Sequence, residues 1–220
     1  MKTKNVVLFL AVVLVLFQGC IPSLYPLYTT DKLVMKKEIP GEWIDKEVGK
    51  SISLLDSGII SGTIRVKEEF LPVWKFIANK DKSYSLIFID GNGQAGTFDA
   101  HLVQLEEYYF FNFYPRNPTE EEKKIYPELR ESKFNELEEL HYFPVNTFAK
   151  VNFKGNLMSI SFFDGEFIED LLEQNRIRIK HEKIDGAYIL TAESEELQKF
   201  ILKYAEDEKA FPDPMVLMKQ

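Results

Sequence analysis

The chain has 220 residues, with 27 Lys and Arg against 35 Asp and Glu, for a net charge of −8. That balance excludes a nucleic-acid binder of the usual kind, which needs an excess of cations to meet the phosphates. The length suits one domain, the 45% hydrophobic and 14% aromatic content suffices for a core, and a single cysteine excludes an intrachain disulfide and any cysteine-based zinc site.

Lys2 and Lys4 open the chain, twelve apolar residues follow at 6–17, and Gln18-Gly19-Cys20 closes the stretch. A basic start, a short apolar run and a small residue before the cut are the marks of a secretory signal. A transmembrane helix needs about 20 apolar residues to cross a core of ~30 Å, so this run is too short for one. A buried core helix would show an amphipathic period, and none is present.

Leu16-Phe17-Gln18-Gly19-Cys20 resembles the lipobox that ends bacterial lipoprotein signals. Gly19 and Cys20 match it; Phe17 and Gln18 stand where the pattern prefers Leu and a small residue. The resemblance implies a diacylglyceryl thioether on Cys20, cleavage between Gly19 and Cys20, and acylation of the new amino group. Two or more chains hold firmly where one would not, because each buried CH₂ contributes about 0.8 kcal/mol. The competing reading is a free cysteine after an ordinary signal. Without Lys2 and Lys4 the remaining chain carries 25 basic and 35 acidic residues, so the lipid rather than charge would hold it on an anionic membrane. Ile21, in place of Asp, implies the outer membrane under enterobacterial sorting. The expected location is the cell envelope, facing the periplasm if the source is Gram-negative.

In chain order, 20–40 reads as the lipidated N-terminus and its connection. Pro22, Pro26 and Pro40 bar a helix there, and Leu24, Tyr25, Leu27 and Tyr28 are apolar enough to pack partly on the domain. Strands are expected at 42–44, 51–55, 59–66, 73–77 and 84–89, the last ending in Asp90-Gly91-Asn92-Gly93, the strongest hairpin signal in the chain. The answering strand at 97–105 puts Phe98, Ala100, Leu102 and Gln104 on one face and Thr97, Asp99, His101, Val103 and Leu105 on the other. An almost wholly aromatic strand follows at 108–114. Residues 115–140 read as a charged excursion with short helices at 120–125 and 133–140. Strands at 144–153 and 157–163 come next, the latter alternating Met158, Ile160 and Phe162 against Leu157, Ser159 and Ser161. Asp164 caps a helix whose apolar face is Phe167, Ile168, Leu171 and Leu172. A hairpin at 177–183 and 187–191 and a helix at 195–205 capped by Ser194 complete the domain, and Pro212 and Pro214 mark an irregular tail.

The expected organisation is therefore a signal at 1–19, a connection at 20–40, one domain at 41–211 and a tail at 212–220. The fold class is mainly β (α+β): an antiparallel meander or lipocalin-like barrel with one or two late helices packed on it.

Gly41-Glu42-Trp43 at the first strand is similar to the lipocalin Gly-x-Trp start; an ordinary turn glycine and core tryptophan are the plainer reading. Ser23-Leu24-Tyr25-Pro26-Leu27-Tyr28 with Pro40-Gly41-Glu42-Trp43 resembles a family of uncharacterised bacterial lipoproteins. Gly96-Thr97-Phe98-Asp99-Ala100-His101-Leu102 and Glu195-Glu196-Leu197-Gln198 resemble it too. Residues 46–71 are longer than that pattern and read as an insertion. This resemblance implies a lipoprotein domain and no particular activity.

No nucleophile elbow, P-loop, dinucleotide fingerprint or His-Glu-x-x-His motif occurs, and no catalytic, cofactor-binding or metal-ligating residue is assigned. Asp99 and His101 share a strand face, as an acid–base pair or a metal site would, but a surface hydrogen bond is the plainer reading. His141 and His181 read as structural and exposed. The glutamates at 120–122 and at 136, 138 and 139 lack the spacing and central Gly of a calcium loop. The aromatics at 108–114 could line a cavity and equally fill a core. Two functions remain: an anchored binding module for a small apolar ligand, and a lipoprotein that holds an envelope protein partner at the membrane. An enzyme is not expected.

Overall fold

The computed structural model describes residues 20–46, 72–130 and 143–220. The signal at 1–19, the strands expected at 51–55 and 59–66, the insertion at 46–71 except its first residue, the helix at 133–140 and His141 lie outside them.

Eight antiparallel strands close into a barrel. Seven follow in chain order: β1 (Gly41–Asp45), β2 (Val73–Ala78), β3 (Tyr84–Ile89), β4 (Ala95–Leu105), β5 (Tyr108–Arg116), β6 (Thr147–Lys154) and β7 (Leu157–Phe162). A short helix, α1 (Glu120–Ile125), lies between β5 and β6. After β7 come α2 (Gly165–Glu173), a separate hairpin of β8 (His181–Ile184) and β9 (Ala187–Leu190), and α3 (Ser194–Lys203). The eighth stave, β10 (Met215–Lys219), then slots between β1 and β7.

The meander, the barrel and the late helices match the sequence reading, but 212–220 is no irregular tail. The two prolines end before Met215-Val216-Leu217-Met218, an apolar run long enough for a strand, and its inward Leu217 faces Met158 across the pair. Residues 20–40 do pack on the domain, through Leu27 and Tyr28 but not through the exposed Leu24 and Tyr25, as set out below. Two smaller corrections concern ends. Glu193, not Ser194, is the N-cap residue of α3 and makes no side-chain cap bond. Regular pairing of the late hairpin starts at His181, not Ile177, because Ile177 and Ile179 are drawn into the core under the helices.

Local chemistry accounts for the turns and caps. In the β3–β4 hairpin the Asp90 carboxylate accepts the N–H groups of Asn92 and Gln94 at 2.8 Å each, and Gly93 supplies the φ of +76° that the turn needs. Asp164 caps α2 as expected, accepting the Phe167 N–H at 2.7 Å. α1 opens with a reciprocal box between Thr119 and Glu122.

Period-2 alternation divides the barrel residues between two cores. Inward side chains include Trp43, Phe76, Leu86, Ala100, Leu102, Phe111, Ala149, Val151, Met158, Ile160 and Leu217, each 2% exposed or less. Phe76 and Phe111 stack at 5.3 Å, and Phe111 meets Phe113 at 5.3 Å. Outward residues Val103, Leu105, Phe110 and Phe148 form the second core with α2, the late hairpin and α3. The sheet is thus buried on both faces along this side, which is why β5 reads as one apolar run.

One end of the barrel is shut from within the chain. Ile39 is fully buried there, its carbonyl accepts the Trp43 indole N–H at 2.8 Å, and the Tyr84 hydroxyl accepts the Lys36 N–H at 2.8 Å. Gly41 has φ +131°, and a Cβ there would lie 2.9 Å from the Lys219 side chain. Lys219 donates to the Glu38 carbonyl at 2.7 Å and sits 5.6 Å from the Trp43 ring centre. The closing strand and the first strand are thereby clamped at the tryptophan.

Arg116 ties α1 to the barrel wall, with both guanidinium nitrogens on the Glu122 carboxylate and Nε 3.1 Å from Asp99. The Arg116 bonds hold the Glu122 carboxyl down at about 2, against 4.5 ordinarily. A depressed carboxylate contributes its stability above the ordinary value and loses it as pH falls through the folded one. Amides of α1 should therefore lose hydrogen-exchange protection between about pH 4.5 and 2. Glu122→Gln should flatten that step and lower protection at neutral pH; an unchanged profile would show that the pair does not hold the helix.

Candidate functional site

Residues 20–40 form a strap that runs the length of the barrel. Cys20 bridges Asp164, two residues past the end of β7. Ser23 pairs with Asn146 just ahead of β6 and with Leu190 of β9. Further along, Leu33 bridges Val103 of β4, and the strap reaches the shut end at Lys36 and Ile39. Its polar anchors are buried amides. Asn112 Oδ1 accepts the Leu27 N–H at 2.8 Å, and Asn112 Nδ2 donates to Asn146 Oδ1 at 3.0 Å. Asn146 Nδ2 donates to the Ser23 and Leu24 carbonyls, and Gln198 Nε2 of α3 donates to the Leu27 carbonyl at 2.9 Å. Ile21 and Leu27 enter the second core. Leu24 and Tyr25 stay exposed.

Two consequences concern Cys20. Contacts of the domain run up to Ile21, which is 2% exposed, so no slack separates the cysteine from the core. Burial, and then the Asp164 charge, push the thiol up to about 11, so it is a poor nucleophile in the folded protein. Gly19, the other residue of the expected cleavage site, lies outside the described residues.

Cys20 also marks one end of the barrel, the end opposite the Ile39 plug. Inward residues there are Trp74, Phe113, Phe88, Phe98, Phe162 and Met215, of which the last four are only partly buried. Trp74 packs against Phe88 at 4.8 Å, Phe113 at 6.1 Å and Phe162 at 6.5 Å. It is 4% exposed, and among the described residues its indole N–H has no hydrogen-bond partner. An unmet buried donor costs about 1–3 kcal/mol, so this one is a notable feature of an otherwise apolar cluster.

The histidine pair expected from the sequence is brought to one face but not joined. Asp99 is engaged by Arg116, while His101 stacks on Tyr28 of the strap at 4.1 Å and leaves Nδ1 without a partner. Burial pulls the His101 pKa down, with Asp99 and Asp81 opposing. His181 is exposed, and its Nδ1 lies 2.8 Å from the Ile179 carbonyl. Among the described residues no group of three or more His, Cys, Asp or Glu side chains is placed to hold a metal ion.

A further recess of about 470 Å³ lies on the barrel's outer wall, over β6 and β7 and under the segment 205–214. Two directly opposed pairs, Lys150 with Ser161 and Asn152 with Ser159, form its floor. The sequence alternation set Ser159 and Ser161 on one face of β7, but it could not place the later segment above them.

Comparison with protein-family models, curated proteins and solved structures gives no match. The class is therefore that of the fold, a closed eight-stranded antiparallel β-barrel with short helices late in the chain.

Proposed function

We propose that this is a lipoprotein of the cell envelope, held at a membrane by lipid on Cys20, whose barrel is a binding module of lipocalin-like kind for a small apolar ligand. The observation that carries the binding reading is the Trp74 end, where partly exposed Phe88, Phe98, Phe162 and Met215 surround an indole N–H without a partner. A ligand with an apolar body and one hydrogen-bond acceptor would complete that cluster. Because the middle of the barrel is filled, the ligand sits at this end rather than in a central cavity. The strap supports the combination, since it sets Cys20 and the Trp74 cluster at the same end, and an anchor on Cys20 would turn that end toward a bilayer.

The anchoring reading rests on the basic, apolar, Gly-Cys pattern of the first twenty residues. The raised Cys20 pKa adds that the acyl chain must be installed before the strap docks. Cys20→Ser is expected to move the protein from the membrane to the soluble envelope fraction, and the native N-terminal peptide should carry the mass of a diacylglyceryl group. An unmodified native peptide would end this part of the proposal.

Ligand binding is tested on a Trp43→Phe background, which leaves Trp74 as the only tryptophan. Titration with a long-chain fatty acid should quench or shift Trp74 emission saturably. Flat emission across the solubility range would refute an apolar ligand at this end. One observation favours a second reading, a lipoprotein that positions a protein partner: the fully packed barrel centre suits a scaffold. Recovery of one stoichiometric partner from solubilised membranes, together with flat Trp74 emission, would favour it.

A further inference from the structure

Exposed apolar side chains gather at the Trp74 end of the barrel. Met35 and Ile77 lie toward the shut end, whereas Leu24, Tyr25, Tyr114 and Phe143 stand out at the other, Phe143 at 70% exposure. One junction brings the four together. Ser23 and Asn146 exchange backbone hydrogen bonds at 2.9 and 2.8 Å, and Asn146 Nδ2 donates to the Leu24 carbonyl at 3.2 Å. Leu24 and Tyr25 follow this bridge on the strap, and Phe143 stands three residues ahead of it before β6. On β5 the register pairs Phe113 with Thr147, which brings Tyr114 level with Asn146, facing outward where Phe113 points in. Ser23 and Asn146 are themselves buried, so a fixed backbone presents three rings and an aliphatic chain to the outside. A patch of this kind marks an interaction surface.

Two observations name its occupant. The first is reach. Leu24 is four residues beyond Cys20, and a chain advances at most about 3.6 Å per residue, so the patch lies within about 14 Å of the cysteine. The Cys20–Asp164 bridge and the buried Ile21 leave no slack between them. With acyl chains on Cys20, that distance sets the patch against the headgroup layer. Tyrosine suits this layer, because its ring is apolar and its hydroxyl stays wet. The second observation is charge. Among the described residues Asp90, Asp164, Glu120 and Glu121 stand at this end against Lys123 and Lys124, and Arg116 is already shared between Glu122 and Asp99. An acidic surround opposes an anionic membrane, so the fit is to neutral headgroups.

We infer that Leu24, Tyr25, Tyr114 and Phe143 form a docking rim that seats the Trp74 end of the barrel in the headgroup layer of a neutral bilayer. The inference rests on the anchoring reading and adds a second, non-covalent contact to it.

The test uses the native lipoprotein, extracted from membranes and reconstituted in phosphatidylcholine vesicles. Acylation occupies the single native sulfur, so Leu24→Cys or Phe143→Cys supplies the only thiol for an environment-sensitive dye. Both positions are exposed, and both variants should fold normally. The dye should report an apolar setting at each, and spin-labelled lipid should quench it several-fold more than at Lys37→Cys, an exposed position beside the shut end. Tyr25→Ser combined with Tyr114→Ser should return the Phe143→Cys dye to water while the protein still sediments with the vesicles. The mass of the N-terminal peptide, measured on the same sample, separates the two readings. A peptide without the diacylglyceryl mass removes the anchor, and the argument for the rim with it. Water-like emission at both rim positions, on protein that carries that mass, overturns the rim and leaves the anchor standing. A shift that needs phosphatidylglycerol, or one that appears without vesicles as the chain self-associates, also overturns the rim.

Discussion

Phe111→Ala is expected to destabilise the protein by about 3–5 kcal/mol, enough to remove much of the stability of a domain this size. Phe111 is fully buried at the barrel's centre, stacked on Phe76 and flanked by Phe113 and by Tyr84 at 6.4 Å. Its neighbours come from β2, β3 and β5, so the void left by truncation would touch three staves at once. None of them can close it without shifting the register of a sealed barrel. Urea denaturation would read the loss as a lower midpoint with an unchanged slope. A change below about 1 kcal/mol would mean that the interior relaxes easily and holds spare volume, which would revive a central ligand cavity.

Asn112→Ala should have the second largest effect, in a different place. Its amide stands at the join between the barrel and the strap, bonded to Leu27 on one side and Asn146 on the other. Asn112 and both partners are buried, and removing the amide leaves an N–H and a carboxamide oxygen without partners at about 1–3 kcal/mol each. The expected cost is about 2–4 kcal/mol, centred on the strap rather than the barrel. Hydrogen exchange at residues 21–28 should accelerate well before exchange in β4 and β5, and proteases should cut near the exposed Leu24 and Tyr25. Uniform acceleration across the whole chain would instead show that strap and barrel unfold as one unit.

Much of the barrel is legible in the sequence because its strands obey the two-residue period. The β3–β4 turn, both faces of β4 and the alternation of β7 are recoverable from residue type alone. Asp164 is recognisable as a cap because the apolar helix face starts three residues later. The misses share a cause. Met215-Val216-Leu217-Met218 follows two prolines, and local chemistry says "loop" until the open edges of β1 and β7 create a demand for a partner. The strap is rich in proline and lacks a period, because its hydrogen bonds go to Asn112, Asn146 and Gln198, side chains far away in the sequence. The same holds for the sites. Cys20 is visible through a contiguous motif. The lone indole N–H of Trp74 becomes notable only when tertiary packing encloses it and supplies no bond. The Asp99 and His101 spacing was read correctly as one face, yet Arg116 reaches Asp99 from the neighbouring strand.

The position of β10 in chain order has a bearing on biogenesis. Seven staves emerge before the one that seals them, and in the interval β1 and β7 each offer a row of unsatisfied amides and carbonyls. A polypeptide threaded N-terminus first through a translocation pore, with its leading cysteine already tethered, would hang at the bilayer as an unsealed curl until residues 215–219 arrived. Such an intermediate invites cross-pairing with its neighbours, so under the anchoring proposed above the yield of folded protein should depend on holdase chaperones far more than its finished stability would suggest.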